Sequence, residues 1–215
     1  MIGSGSLPLK DFQALIDRNA WIEEIELSNY GEPFLNPNLP QMMAYAFGRG
    51  VALTCDNGAN FNFASQQVIE AAVRFRLRSL TCSIDGASQA TYSTYRVRGD
   101  FDGVLSNIRR LNEVKRQYGS PFPRLTWQFV VFGHNEHELP KARDLAAELD
   151  MAFSPKLSWD PDWSPVVDHA RVRRESGLDA ANRPEFKASH GVGYLDEICH
   201  QLWDAPQINW DGTML

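Results

Sequence analysis

The fold is decided by residues 79–131, which read SLTCSIDGASQATYSTYRVRGDFDGVLSNIRRLNEVKRQYGSPFPRLTWQFVV. Polar and apolar side chains alternate over residues 79–84, and this period of two predicts a strand. From Phe101 the apolar side chains recur every three or four residues, which predicts a helix capped by Asp100 and ended by Gly119. Polar and apolar side chains alternate again at residues 127–131. The stretch therefore predicts a strand, a crossover helix and a second strand parallel to the first.

Strands and helices alternate in the same way on both sides of this stretch. The other predicted elements are helices at 9–16, from Pro40, after Ser65 and at 139–149, and strands at 22–28, 51–54 and 152–157. Repeated strand–helix units predict an α/β fold whose parallel strands are joined by right-handed crossovers. The pattern ends at about residue 158, after which only residues 192–202 are predicted to be helical.

Composition and charge exclude several classes of protein. The 215 residues include 21 Lys+Arg and 27 Asp+Glu, and a net charge of −6 without a basic run argues against nucleic-acid binding. No segment reaches the roughly 18 apolar residues of a membrane span, and the N-terminus does not resemble a secretion signal. The three cysteines are too few and too scattered for a disulfide framework: Cys55, Cys82 and Cys199. We therefore expect the protein to be located in the cytoplasm.

Polar side chains follow the predicted strands at the points where the strands end. These segments are residues 28–33, 54–58, 83–86 and 134–136. The carboxyl ends of parallel strands meet at one edge of a sheet, where α/β proteins bind their ligands. Hydroxyl, amide and carboxylate groups at this edge suit a polar small molecule with an amine and hydroxyls. Taken one at a time, Asn57-Gly58 and Asp85-Gly86 are also ordinary turn formers.

In their order along the chain, these segments resemble the motifs of radical S-adenosylmethionine (radical SAM) enzymes. Gly31-Glu32-Pro33 follows one strand, Asp56-Asn57-Gly58 the next, and Ser83-Ile84-Asp85-Gly86 the third. The helix that begins at Phe101 and the strand at 129–131 are similar to the elements that follow in that family. The resemblance is carried by the order of the motifs and covers residues 7–157.

The resemblance implies a fold more specific than the α/β class. It implies a partial, TIM-like (β/α) barrel of parallel strands over residues 1–157, without the first strand of the barrel. Residues 158–215 would then be a linker and the beginning of an irregular, SPASM-like extension. Because the chain opens on a helix with no strand before it, we expect a fragment of a longer protein.

The resemblance also implies a SAM-binding site. Gly31, Glu32 and Pro33 match the segment that binds the amino group of the methionine moiety, through backbone carbonyls and the Glu32 carboxylate. An ammonium group requires such acceptors, and the resulting hydrogen bonds are charge-assisted. Tyr30 stands where the family has a glycine, so the match at this segment is incomplete.

Four further residues are assigned by the same resemblance. Ser83 and Asp85 match residues that hold the ribose hydroxyls or the methionine carboxylate, and Arg96 would pair with that carboxylate. Gln128, in the strand at 125–131, is predicted to face the substrate.

Radical SAM enzymes cleave SAM reductively to a 5′-deoxyadenosyl radical at a [4Fe–4S] cluster held by a C-x-x-x-C-x-x-C loop. The 215 residues contain no such loop, so we expect it to lie before Met1 and expect this chain alone to be inactive. Cys199, followed by Gly212, resembles the start of a SPASM extension, in which Cys199 would ligate an auxiliary Fe–S cluster. The full-length enzyme would modify a peptide or small metabolite and receive electrons from flavodoxin or ferredoxin.

Other interpretations of the same residues remain open. The main alternative is a cluster-free α/β module that binds a ligand or partner without catalysis. A flavodoxin-type protein is a weaker alternative, because it would need a phosphate-binding loop and the sequence shows no candidate after the first strand. Local alternatives are a metal site at His134 and His137, zinc at Cys199-His200, and a carbohydrate platform at Trp159 and Trp163.

Overall fold

The computed structural model describes residues 5–28, 31–194 and 206–213. Within these residues, five strands form a parallel sheet in the order β1-β2-β3-β4-β5. The strands are β1 (Glu24–Glu26), β2 (Ala52–Ala59), β3 (Ser79–Ser83), β4 (Arg124–Val131) and β5 (Met151–Leu157). The helices are α1 (Leu9–Arg18), α2 (Leu39–Arg49), α3 (Gln66–Arg74), α4 (Gln89–Tyr95), α5 (Phe101–Tyr118), α6 (Leu139–Glu148), α7 (His169–Ser176) and α8 (Arg183–His190). The predicted α/β class with a partial (β/α)-barrel organisation is confirmed.

Local sequence signals explain where several helices begin and end. Ser65 caps α3, because its hydroxyl accepts a hydrogen bond from the Val68 N–H at 3.3 Å. Gly50 ends α2 in the left-handed conformation, with φ of +74°, which a residue with a Cβ adopts at a cost. These caps satisfy backbone groups that an isolated helix leaves without partners.

The first of two compact units contains residues up to Thr81, Asn107–Leu125 and the C-terminal residues from Cys199. In this unit β1 pairs with β2 in parallel, with Ile25 opposite Leu53. Its core is built from the apolar faces of the helices and from β2. Core residues of this unit are Phe12, Ile16, Leu39, Met43, Leu53, Phe61, Ile69, Leu77, Ile108 and Leu111.

The second unit contains Cys82–Ser106 and Thr126–Ile198. Its core is aromatic: Trp127 and Tyr92 are fully buried, and Phe101 packs against both rings at centroid distances of 6.4 and 5.7 Å. Such edge-on and tilted ring pairs add to the free energy gained from burial alone. The boundary predicted between residues 157 and 158 stays a prediction.

The structure departs from the sequence-based expectations in three places. Residues 168–190, which are polar and were expected to be irregular, contain α7 and α8. The second strand continues through the Asn57-Gly58 turn signal to Ala59. The helix predicted at 192–202 does not include Val192 to Tyr194, which are irregular, and its remaining residues lie outside the described ranges.

None of the helices in the described ranges combines the length and the apolar character that crossing a membrane requires.

Candidate functional site

Glu26, at the end of β1, organises the polar residues of the first unit. Its carboxylate accepts hydrogen bonds from the N–H and the hydroxyl of Ser28, from the Thr54 hydroxyl at 2.7 Å and from the Asp56 N–H at 2.9 Å. One side chain thereby connects the end of β1 to the middle of β2. We did not single out Glu26 from the sequence, although a carboxylate at the last position of a short strand is a usable signal.

Ser28 and Asn57 continue this connection. The Asn57 N–H donates to the Ser28 hydroxyl at 3.0 Å, and the Asn57 side-chain amide donates to the Ser28 carbonyl at 2.7 Å. These two hydrogen bonds explain why Asn57 remains in the strand instead of forming a turn. Both residues belong to the segments that the sequence placed at the rim of the sheet.

Gly31, Glu32 and Pro33 form a tight loop after β1. Gly31 has φ of +98°, a value that residues with a Cβ rarely adopt, and Pro33 starts a short 3-10 turn. The Glu32 carboxylate accepts hydrogen bonds from the Phe34 N–H at 3.2 Å and the Asn60 N–H at 2.7 Å. An incoming ammonium group would have to share this carboxylate with two backbone N–H groups.

The cysteines of the two strands are packing residues. Cys55 in β2 and Cys82 in β3 are both buried. Burial raises the pKa of the Cys55 thiol to about 12, so it is protonated at neutral pH. The burial of both side chains agrees with the prediction that these cysteines are packing residues.

Asp85, in the second unit, is completely buried just after β3. Its carboxylate accepts hydrogen bonds from the Arg96 Nε–H at 2.7 Å and from the Val130 N–H at 2.8 Å. Burial raises the pKa of Asp85, while the Arg96 guanidinium and the Val130 N–H act in the opposite direction. The structure therefore pairs two residues that were assigned separately to SAM, and Arg96 is already engaged by a carboxylate.

Ser83 and Gln128 are buried in the neighbouring strands β3 and β4. Ser83 is the last residue of β3, and the Gln128 carbonyl accepts a backbone hydrogen bond from Ile84 at 3.0 Å. Gln128 is 8% exposed, and within the described part of the chain its side-chain Oε1 atom accepts no hydrogen bond. A buried acceptor without a donor is costly, so Oε1 suits a ligand that brings an N–H or O–H group.

His134 is held by Ser164 and by aromatic rings. The Ser164 hydroxyl lies 3.0 Å from the His134 N–H and 2.9 Å from Nδ1, while Phe132 stacks on the imidazole. Burial lowers the pKa of His134, and the nearby Asp85 and Glu138 carboxylates partly oppose this effect. The described residues contain no group of three potential metal ligands, so the alternative of a metal at His134 and His137 gains no support.

Glu138 connects the loop after β3 to the start of α6. Its buried carboxylate accepts hydrogen bonds from the Ala87 N–H at 2.6 Å and from the Thr91 hydroxyl. Burial by itself would raise the pKa of Glu138, but these hydrogen bonds hold it below its usual value. Glu138 thus positions the segment that carries Asp85 and Gly86.

Replacing Glu138 with glutamine should remove a pH-dependent part of the stability. A carboxyl with a depressed folded-state pKa stabilises the fold above its unfolded pKa of about 4.3, and this stabilisation is lost as pH falls through the folded value. Urea unfolding from about pH 7 to pH 3 should therefore show a steeper loss for the wild type than for Glu138→Gln. At neutral pH the variant should be less stable by about 1–3 kcal/mol.

The matched control is Glu113→Gln, which changes an exposed carboxylate on α5. It should keep both the wild-type stability and the wild-type pH profile. Parallel pH profiles for Glu138→Gln and the wild type would contradict the assigned role of Glu138.

Comparison with known proteins identifies solved structures that resemble this chain. Neither a protein-family model nor a curated protein matches the sequence. SuiB from Streptococcus suis in its SAM-bound crystal structure matches 94% of this chain with a TM-score of 0.62 and 15% identity. SuiB bound to its precursor peptide SuiA matches 95% with a TM-score of 0.61 and 12% identity, and archaeal TYW1 matches 78% with 0.50 and 16%.

The chain has the radical SAM fold. At these identities the match concerns the fold alone. The chain spans 44% of the SAM-bound SuiB structure, 46% of the peptide-bound one and 56% of TYW1. The fold expected from the order of the motifs is thus supported.

The described residues fit SAM and a cluster to different degrees. In the first unit, the carboxylates of Glu26 and Glu32 suit the ammonium group of SAM. In the second, the side-chain Oε1 atom of Gln128 suits a hydrogen-bond donor of the substrate. No three cysteine, histidine or acidic side chains in the described ranges are grouped as metal ligands, so these residues do not fit an Fe–S cluster. Cys199 lies outside the described residues.

Proposed function

We propose that this chain is the SAM-binding part of a radical SAM enzyme that acts on a peptide. The proposal is carried by one observation: the three motif segments occur in the family's order in a chain with the radical SAM fold. Gly31-Glu32-Pro33 follows β1, Asp56-Asn57-Gly58 lies in the second half of β2, and Ser83-Ile84-Asp85-Gly86 begins at the last residue of β3. SuiB, which has the same fold, is bound to SAM in one structure and to a precursor peptide in another.

The resemblance supplies the proposed SAM residues, and each unit is considered by itself. In the first, Gly31, Glu32 and Pro33 would bind the methionine ammonium group through backbone carbonyls and the Glu32 carboxylate. In the second, Ser83 would bind a hydroxyl or carboxylate, and Asp85 would act mainly by holding Arg96. The buried, unpartnered Oε1 atom supports Gln128 as the residue that accepts a hydrogen bond from the substrate.

The role of this chain in the proposal is to bind and orient SAM. When a [4Fe–4S] cluster is bound, it supplies the electron for reductive cleavage, but the described residues provide no set of ligands for it. We further propose that Cys199 ligates an auxiliary cluster, that the cluster loop lies outside these 215 residues, and that a flavodoxin or ferredoxin in the cytoplasm donates electrons.

Removing proposed SAM contacts should weaken SAM binding by the 215-residue chain. We expect Glu32→Ala and Ser83→Ala each to raise the dissociation constant about 3- to 10-fold, because each removes about one hydrogen bond. Isothermal titration calorimetry with SAM measures this effect directly, and thermal unfolding shows whether each variant is folded.

Two exposed positions provide matched controls. Glu23→Ala and Ser106→Ala change the same residue types away from the proposed contacts and should leave SAM affinity unchanged. Equal affinities for all five proteins would show that the SAM site is misplaced. If the wild-type chain does not bind SAM at all, the cluster-free binding module becomes the better interpretation.

A further inference from the structure

A cleft in the second unit lies between the segment after β5 and helix α8. It has a volume of about 440 Å³. Its walls are formed by Trp159, Pro161, Arg183, Pro184, Lys187 and Tyr194. The proposed SAM chemistry uses none of these residues.

Arg183 holds the aromatic walls of the cleft in place. Its guanidinium carbon lies 3.5 Å from the centroid of the Trp159 ring and 4.8 Å from that of Tyr194. Its Nε–H donates to the Ser158 carbonyl at 2.9 Å, and its Nη1 donates to the Tyr194 carbonyl at 3.2 Å. Trp159 is 73% exposed in spite of these contacts, so an indole that Arg183 contacts is presented to solvent.

Two of the residues that line the cleft are basic, although the chain as a whole carries a net charge of −6. Among the described residues, Arg183 and Lys187 line it and no acidic residue does. The Lys187 ammonium makes no ion pair or hydrogen bond with any described residue, whereas the nearby Glu185 already pairs with His169 and Arg173. A carboxylate that approaches Lys187 therefore does not compete with a partner in this part of the chain.

We infer that this cleft is a docking site for an extended, acidic, proline-containing peptide segment. Aromatic and proline walls are the surfaces on which a polyproline II segment packs its rings, and this conformation costs little entropy on binding. A proline ring stacks on Trp159, and an adjacent carboxylate pairs with Lys187. The site goes beyond the proposed function, because its occupation requires neither SAM nor a cluster.

The test uses short fluorescein-labelled peptides and the full 215-residue chain without SAM. Fluorescence polarisation should show saturable binding of a peptide of Glu-Pro-Pro repeats, and weaker binding of Gln-Pro-Pro and Glu-Gly-Ser repeats. Affinity for the Glu-Pro-Pro peptide should fall with added salt, because exposed charge pairs are screened. Failure of this peptide to bind, or equal binding of Lys-Pro-Pro repeats, would overturn the inference.

Two variants test the assigned contacts. We expect Trp159→Ala to lower affinity for the Glu-Pro-Pro peptide about 10-fold or more and Lys187→Gln about 3-fold or more. The matched controls are Trp21→Ala, at a tryptophan that is 72% exposed, and Lys141→Gln, at an exposed lysine of α6. Equal losses in the test and control variants would contradict a specific site.

The same variants separate this inference from the proposed function. Trp159→Ala should retain the thermal stability of the wild type, because its side chain is mostly exposed, and should bind SAM with wild-type affinity. If Trp159→Ala loses peptide binding and retains SAM binding, the docking site is supported independently of the proposed function. If the chain binds the peptide but does not bind SAM, the docking site is supported and only the proposed function is contradicted.

Discussion

Replacing Arg96 with alanine is expected to lower the free energy of unfolding by about 3–5 kcal/mol. Asp85 is completely buried, and Arg96 is the cation that pairs with its carboxylate at 2.7 Å. Without the guanidinium, the Val130 N–H is the hydrogen-bond donor that remains among those described above for this carboxylate. Urea unfolding at neutral pH measures the loss.

The loss should depend on pH in a definite direction. Removal of Arg96 raises the folded-state pKa of Asp85 further, so the native state takes up a proton more readily than the unfolded chain. Stability of Arg96→Ala should therefore fall as pH rises above the unfolded pKa of about 3.9, and the difference from the wild type should shrink in acid. Adding Asp85→Asn to Arg96→Ala should recover part of the stability, because it removes the buried charge.

An exposed arginine serves as the control for this prediction. Arg110→Ala, on the exposed face of α5, should change stability by no more than about 0.5 kcal/mol. The role that we assign to Arg96 would be wrong if Arg96→Ala were as stable as the wild type. If the variant remained folded but lost SAM affinity, Arg96 would also be a direct ligand of the methionine carboxylate, as the resemblance implies.

Replacing Trp127 with alanine is expected to lower the free energy of unfolding by at least about 3–5 kcal/mol. The indole is fully buried in β4, and its Nε1–H donates a hydrogen bond to the Ile84 carbonyl at 2.8 Å. The substitution therefore leaves a large cavity and also deprives a buried carbonyl of its donor.

Trp127→Phe separates these two contributions. Phenylalanine retains much of the ring contact with Phe101 but cannot donate to Ile84, so we expect a smaller loss of about 1–3 kcal/mol. Trp21→Ala is the control, because this tryptophan is exposed and its removal should cost about 0.5 kcal/mol or less. Equal losses at Trp127 and Trp21 in urea unfolding would contradict the structure of this core.

Some elements could be predicted because their signals are local. The alternation at Leu80 and Cys82 and the helical spacing after Phe101 correspond to β3 and α5. Ser65 was predicted to cap a helix, and its hydroxyl accepts the Val68 N–H. Each of these signals depends on residues that are neighbours in sequence, so no knowledge of the fold is needed to interpret them.

Helices α7 and α8 were missed because burial periodicity is weak in a polar segment. Of their residues, Val172 is buried, whereas α8 contains no buried residue. The available signal was in the caps: Asp168 and Asn182 accept hydrogen bonds from the first turns, and Gly177 and Gly191 end the helices in the left-handed conformation. Capping residues with correctly spaced glycines would have predicted both helices.

The sequence by itself determined the α/β class, the order of strands and helices, and the polar segments at the strand ends, because periodicity and capping are properties of adjacent residues. Only the tertiary structure decided how the polar side chains are partnered. It joined Asp85 to Arg96 and Val130, gathered Ser28, Thr54 and Asp56 around Glu26, and left the buried Oε1 atom of Gln128 without a donor in the described residues. The physical reason is that a buried polar group takes whichever partner the fold brings near it, and that partner is usually distant in sequence.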